Sequence, residues 1–387
     1  MRKLTANYIF PISSSPIKNG VLTIDDDGTI LRVEDAGDQK DVEVYEGILC
    51  PGFVNTHCHL ELSHLKGRLP VGEGMVAFIK GVIANRGVFS EQEQLAAIAK
   101  AEDEMLNNGI VAVGDISNTN NTVAQKQKGN LHYHTFIEVF DLNPDKAAET
   151  FKEALALQKQ FGGQSSIVPH APYTVSKQLF AIIAEHALAN RAITSIHNQE
   201  SKAEIDLLAH NKGELFDMLQ EMGLAANDFK EKGKSVLENT LSLLAPALNT
   251  LLVHNTFTTG VEIEKAMQSN YANNLFWCTC PNANKYINEQ LPDYLSLIKH
   301  KARVTIGTDS LASNWSLSVL EELKTIAQAH PTIPLNTLLT WATKNGADFL
   351  GVDQLGSLEP GMQPGILCLQ QTDNLSLKKT TSLKRIV

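Results

Sequence analysis

Apolar and polar positions follow one rhythm at both ends of this chain and another through its middle, and the rhythm changes near residues 50 and 355. The first stretch breaks into short strand-like pieces, LTANYIF, GVLTIDDDGTILRVE and VEVYEG. The Asp27-Gly28 step between VLTI and TILRV is a hairpin signal. Pieces this short cannot hold a core alone. GSLEPGMQPGILCLQ, near the other end, again reads as turn and strand, so residues 1–50 and 355–387 are expected to share one small β-sandwich domain.

Between them, near-continuous apolar runs alternate with helical spacing. Eight runs read as strands: 48–56, 109–116, 133–141, 165–170, 192–197, 249–254, 273–280 and 303–309. The clearest helix is 91–108, with Ser90 as N-cap, Glu93 as its capping-box partner and Gly109 as the stop. Segments 176–189 and 316–329 carry apolar residues at the same helical spacing. Continuously apolar strands separated by helices imply a parallel sheet covered on its outer face. Eight such units over residues 51–354 predict a closed (β/α)8 TIM barrel of the α/β class. An open doubly wound sheet is the alternative, but no Gly-rich phosphate loop follows the first strand. Two connections, after His59 and after Glu200, run to about 50 residues each. Excursions of that length serve as lids and substrate walls, or as contacts between copies of a homo-oligomer.

Composition narrows the class of protein. The chain has 387 residues, 43% hydrophobic and 20% charged, without low-complexity tracts. A formal net charge of −10 argues against nucleic acid or an anionic membrane as partner and leaves small molecules. The apolar stretch of the N-terminus is broken by Thr5, Asn7 and Pro11, so no signal-peptide core forms, and no run approaches membrane-spanning length. Five cysteines in a chain this long do not form a disulfide framework, and a reduced, cytoplasmic enzyme is expected. Cys278 and Cys280 are read as two small hydrophobes on one strand face rather than a soft-metal pair.

The chemistry collects at the ends of the apolar runs, where α/β barrels build active sites. His57 and His59 close the first run, and i, i+2 spacing on an extended backbone turns both rings to one side. With 12 His, about a third of one His-x-His arises by chance, and a second pair, His132 and His134, opens a strand instead of closing one. Position separates the two pairs. His170, His197, His254 and Asp309 end four later runs, and burying them at one rim without a common partner would be costly. His57, His59, His197 and Asp309 form a donor set for one divalent ion, Zn²⁺ or Fe²⁺, with room for water. Asp309 can also accept a proton from that water. Glu200, three residues past His197, reads as a general acid or as a helix-start carboxylate, and His254 as a group that orients the attacking water. A binuclear site needs a bridging group such as a modified Lys, and no lysine ends any of the eight runs.

PGFVNTHCHLELS, HNQES, VHNT and IGTDSLASN together resemble the amidohydrolase superfamily, in its aminohydrolase branch of cytosine-, guanine- and adenosine-type deaminases and triazine chlorohydrolases. The resemblance covers nearly the whole chain. It implies a mononuclear metal site of His57, His59, His197 and Asp309, with Glu200 as proton shuttle and His254 as the residue that orients water. PHAPYTVS around His170, HLE at 59–61 and CPNAN at 280–284 are most similar to aminofutalosine deaminases and to adenosylhomocysteine and methylthioadenosine deaminases, which implies that His170 contacts substrate. The ribose-binding Glu of the latter group is absent, because Ala77 precedes Phe78, so Glu61 or Glu73 would have to replace it. The P-C-x-x-C signature of zinc cytidine deaminases is absent too. The expected reaction is hydrolytic deamination of an amino-substituted heteroaromatic ring, such as a 6-aminopurine nucleoside. The alternatives are a chlorohydrolase or cyclic amide or imine hydrolase on the same site, and a metal-stabilised binding protein without activity.

Overall fold

A computed structural model describes residues 1–35, 41–224, 231, 233–372 and 375–387; part of the long connection after Glu200, at 225–230 and 232, lies outside the described residues. Two parallel four-stranded sheets occupy the middle of the chain, each with its strands in sequence order. The first holds Phe53–Cys58, Ile110–Ser117, His132–Val139 and Gln164–Pro169; the second holds Thr194–Asn198, Thr250–His254, Leu275–Thr279 and Arg303–Ile306. Helices connect successive strands, as continuously apolar strands require. The two sheets meet at both margins. At one, the His197 amide donates to the His170 carbonyl; at the other, the amides of Thr308 and Asp309 both donate to the His57 carbonyl.

All eight expected runs contain a strand, but the first divides. Glu43–Pro51 belongs to a separate mixed sheet and Phe53–Cys58 to the parallel one. Pro51 has no amide hydrogen and Gly52 donates instead to the Pro364 carbonyl, so the chain changes sheets between these residues. Hydrophobicity could not reveal the break, because both halves are buried.

The chain ends do share a sheet. Seven strands run in the order Ser382–Arg385, Ile366–Gln370, Glu43–Pro51, Arg2–Ile9, Val21–Ile24 and Ile30–Glu34, with Ile17–Lys18 paired to Arg2–Ile9. The hairpin of this sheet turns at Gly28, whose φ of 87° suits a residue without Cβ. Ile366–Gln370 pairs antiparallel with Glu43–Pro51, which ties the C-terminal stretch to the N-terminal one.

Local helix signals match the structure closely. Glu91–Asn107 starts with the Ser90–Glu93 capping box, Ser176 caps Lys177–Asn190, and Ser318 caps Val319–Ala329. Both long connections fold into helices on the side where the parallel strands end. After His59 comes Gly74–Asn85; after Glu200 come Lys202–His210 and Glu214–Glu221. They pack on each other, with Val76 and Ile79 against Leu207, Leu215, Met218 and Leu219. Among the described residues no helix is long and apolar enough to cross a membrane.

Candidate active site

Seven of the eight parallel strands, all but Leu275–Thr279, bring residues at or just past their ends to one cavity of about 480 Å³, walled on the other side by the helices of the two long connections. His59, His170, His197, Glu200, His254 and Asp309 line it, and His57 lies directly behind with no exposed surface. His57 and His59 face one another with their Nε2 atoms 3.1 Å apart. Asp309 Oδ1 is 3.5 Å from Nε2 of His57 and 3.4 Å from Nε2 of His59. The rings of His57 and His197 stand 4.9 Å apart between centroids, and those of His197 and His254 5.5 Å. Donor atoms of His57, His59 and Asp309, and likewise of His57, His197 and His254, lie within 4.8 Å of one another.

These separations bear on what the cluster could hold. Ligands about 2.1 Å from a tetrahedral ion stand about 3.4 Å from each other, the spacing found between His57, His59 and Asp309. Burial holds the imidazole of His59 down to about 3 and that of His197 well below its ordinary range, so both rings stay neutral and keep a lone pair free. The two sets share His57, and imidazole and carboxylate donors at these separations fit a divalent cation.

The backbone around the cluster is held in strained conformations. Gln199, His254, Asn255 and Asp309 all have positive φ, between 48° and 72°. Each costs about 1–3 kcal/mol and persists only when surrounding bonds over-determine it. Those bonds are present: the Gln199 and Glu200 amides donate to the Glu204 carboxyl, each at 2.8 Å, and Asn255 Nδ2 donates to the carbonyls of Leu252 and Cys278. Gly307 is a further constraint. A Cβ there would lie 2.8 Å from the sulfurs of Cys278 and Cys280 and 2.9 Å from His57 Cβ, so only glycine lets this strand end approach His57. The two cysteines are buried within an apolar cluster, as small hydrophobes.

Hydrogen bonds behind the rings fix their tautomers. His197 Nδ1 donates to the His170 carbonyl at 2.9 Å, which leaves Nε2 as the free acceptor. His254 Nδ1 donates to Asn284 Oδ1 at 2.8 Å, which turns Nε2 toward Glu200 Oε1, 3.4 Å away. Burial, reinforced by the negative neighbours Asp309 and Glu138, pushes Glu200 well above the usual carboxylate range. Asp309 Oδ2 accepts from Ser313 Oγ at 2.5 Å, leaving Oδ1 toward the histidines.

His170 lines the cavity with Nδ1 2.8 Å from Thr174 Oγ1, and burial lowers its ring to about 4. Glu61 does not reach the cavity. Its Oε1 accepts from Arg86, and its Oε2 accepts from the amides of Asn118 and Thr119 and the Thr119 hydroxyl. Glu73, its suggested substitute, is not in the cavity wall either. The second histidine pair sits at the opposite end of its strand, where His134 Nε2 meets Ser166 Oγ at 2.8 Å.

Three groups were not singled out from sequence. Glu138, near the end of His132–Val139, lines the cavity, with Oε1 3.4 Å from His197 Nδ1; burial raises its carboxyl to about 7. Asn284 and Glu204 act behind His254 and Glu200. The signal for Asn284 was in CPNAN, and that for Glu204 in its place three residues after the helix cap Ser201. Glu138 left a trace as the lone acid inside an apolar run.

A parallel α/β framework with a histidine and carboxylate cluster at its strand ends is the architecture of a metal-assisted hydrolase. The model of the Amidohydrolase family matches residues 48–384, and the chain belongs to that family. It is 30% identical over 320 residues to an adenosine deaminase of Helicobacter pylori, covering 81% of this chain and 76% of that protein. An aminodeoxyfutalosine deaminase of Nitratiruptor sp. is 28% identical over 328 residues, covering 79% and 75%. In structure, the chain is similar to Helicobacter pylori aminofutalosine deaminase in complex with methylthio-coformycin, with a TM-score of 0.81 at 22% identity over 96% of this chain and 93% of that one.

Proposed function

We propose that this protein is a metal-dependent aminohydrolase that deaminates a 6-aminopurine nucleoside. The observation that carries this reading is the meeting of a buried Glu200, 3.4 Å from His254 Nε2, with the His57, His59, His197 and Asp309 donor set on one wall of a largely apolar cavity. The deaminase names of its relatives support the substrate class. The reading includes eight strands closed into a (β/α)8 barrel over residues 51–354, supported by the hydrogen bonds at both sheet margins. It also includes a small β-sandwich domain drawn from residues 1–50 and 355–387, supported by the sheet that both ends share.

His57, His59, His197 and Asp309 would hold one divalent ion, zinc by preference since its tetrahedral geometry suits their spacing. When bound, such an ion acts as a Lewis acid and makes hydroxide available near neutral pH. The chain's own groups supply the remaining chemistry. Glu200 carries its proton toward the substrate and transfers it to the ring nitrogen next to the carbon bearing the amine, which makes that carbon electrophilic. Asp309 accepts a proton from the attacking water, and His254 Nε2 orients that water. Water's oxygen bonds to the ring carbon and the carbon–nitrogen bond breaks. The proton taken up by Asp309 leaves with the amine as ammonia, and the remaining hydroxyl proton returns to Glu200 as the ring carbonyl forms. His170 contacts the substrate from the adjoining wall, while the apolar faces of Gly74–Asn85 and Glu214–Glu221 exclude bulk water.

The test is a screen of the zinc-loaded protein for ammonia and chloride release across aminopurine nucleosides, pterins and chlorotriazines. Stoichiometric ammonia from the 6-aminopurine nucleosides, at rates well above the other two classes, is expected. Chloride release from triazines with no ammonia from the nucleosides would overturn the assignment.

A further inference from the structure

The rings around the candidate cation site are not all held in the same way. His197 and His254 are fixed from behind through Nδ1, by the His170 carbonyl and by Asn284. Among the described residues no such bond reaches the ring of His59, whose hydrogen-bonding contact is with the ring of His57. Its aim therefore depends on its backbone, which has φ −120° and ψ 78° where the strand Phe53–Cys58 gives way to the 3-10 helix Leu60–Leu65. Rotation about that ψ swings the Leu60 amide relative to the His59 side chain, so a group that holds the amide also aims the ring.

Asp115 is that group. Its Oδ1 accepts from the Leu60 amide at 2.8 Å, and it stands opposite Cys58 in the parallel pairing of Phe53–Cys58 with Ile110–Ser117. Asp115 has no exposed surface. Residues two apart on a strand share a face, and Val113 belongs to the apolar cluster that contains Ile98 and Met105 of the helix Glu91–Asn107. A carboxylate in that layer is costly to bury, and it is met by a second charge. Lys126 Nζ lies 2.6 Å from Asp115 Oδ2, with its side chain 6% exposed. Lys126 also donates to Ser117 Oγ and Thr135 Oγ1, both at 3.1 Å, so each of its three N–H groups has an acceptor. Replacing a buried ion pair by apolar residues of similar volume is often neutral or stabilising, so packing alone does not explain this one. What an apolar pair could not supply is the oxygen at Leu60.

We propose that Asp115, held by Lys126, is a positioning residue that aims His59 at the cation through the Leu60 amide. The proposal rests on the reading of His59 as a metal ligand; neither Asp115 nor Lys126 lines the cavity.

The test separates the oxygen from the charge. Asp115→Leu with Lys126→Met removes both, Asp115→Asn with Lys126→Met keeps an acceptor for Leu60 without the charges, and Lys126→Met alone leaves the carboxylate without its cation. Zinc affinity is measured by competition with a chromogenic chelator, and melting on the metal-free proteins. The protein with Asp115→Leu and Lys126→Met should melt within about 3 °C of the wild type. It should nevertheless bind zinc about tenfold to hundredfold more weakly. With Asp115→Asn and Lys126→Met, zinc affinity should stay within about threefold of the wild type, because the acceptor is kept. Lys126→Met alone should melt about 5 °C lower, with zinc affinity again within about threefold. Wild-type zinc affinity after Asp115→Leu with Lys126→Met would overturn the proposal. So would a hundredfold loss after Asp115→Asn with Lys126→Met, a result that decides the matter even if the Asp115→Leu protein does not fold. Zinc affinities that simply follow melting temperature across the set, the signature of a merely structural pair, would overturn it too. A wild type that binds no zinc removes the metal reading and this proposal together, whereas a wild type that binds zinc with an affinity indifferent to Asp115→Leu removes this proposal alone.

Discussion

Replacing Glu200 by Gln is expected to lower kcat by about a thousandfold, within the usual range for loss of a positioned general acid. The substitution preserves size and the capacity to hydrogen-bond, so the strained turn at Gln199 and the amide bonds to Glu204 are kept. What it removes is the proton. Burial and two carboxyl neighbours favour the protonated form of Glu200, and an amide cannot deliver a proton to a ring nitrogen. Steady-state kinetics on the best nucleoside should therefore show the loss in kcat with metal content unchanged at one ion per chain. Turnover near that of the wild type would remove Glu200 from the mechanism.

Replacing His197 by Ala should have a still larger effect. Its ring stands 4.9 Å from that of His57 and 5.5 Å from that of His254 and is held from behind by the His170 carbonyl. Loss of a group that merely orients a metal ligand costs about tenfold to a hundredfold in affinity, so loss of the ligand itself should cost at least about a hundredfold. Measured by competition with a chromogenic chelator, zinc affinity should fall by that amount, and ammonia release should become undetectable at stoichiometric zinc. Retained affinity would show that the ion is held elsewhere.

The parts of this site that could be read from sequence share one physical property: each is a polar residue that ends an apolar run. His57, His197 and His254 lie on parallel strands, and a strand's last residues reach a common rim whatever the loops do. Asp309 lies three residues beyond its strand, yet the bond from its amide to the His57 carbonyl places it at the same rim. Groups held by long-range packing were not visible in that way. Arg86 follows a helix that the sequence showed only as a long excursion, and Glu61, expected at the substrate, is instead consumed by Arg86 and the Asn118–Thr119 turn. Asn284 reaches His254 across 30 residues. The same holds for the fold. Ser90 marked its helix because a cap is a local hydrogen bond, and apolar spacing, equally local, marked Lys177–Asn190 and Val319–Ala329. The passage from one sheet to another at Pro51 and Gly52 depends on Pro364, and no window around residue 50 contains that information.

The central claim is that one ion, held by His57, His59, His197 and Asp309, works with Glu200 to release ammonia from a 6-aminopurine nucleoside. Titrating zinc into metal-free protein while following ammonia release tests it most directly. Activity should rise linearly from near zero and reach a plateau at one equivalent of zinc per chain. Full activity in the metal-free protein, a plateau at two equivalents, or no ammonia at any zinc level would contradict the account.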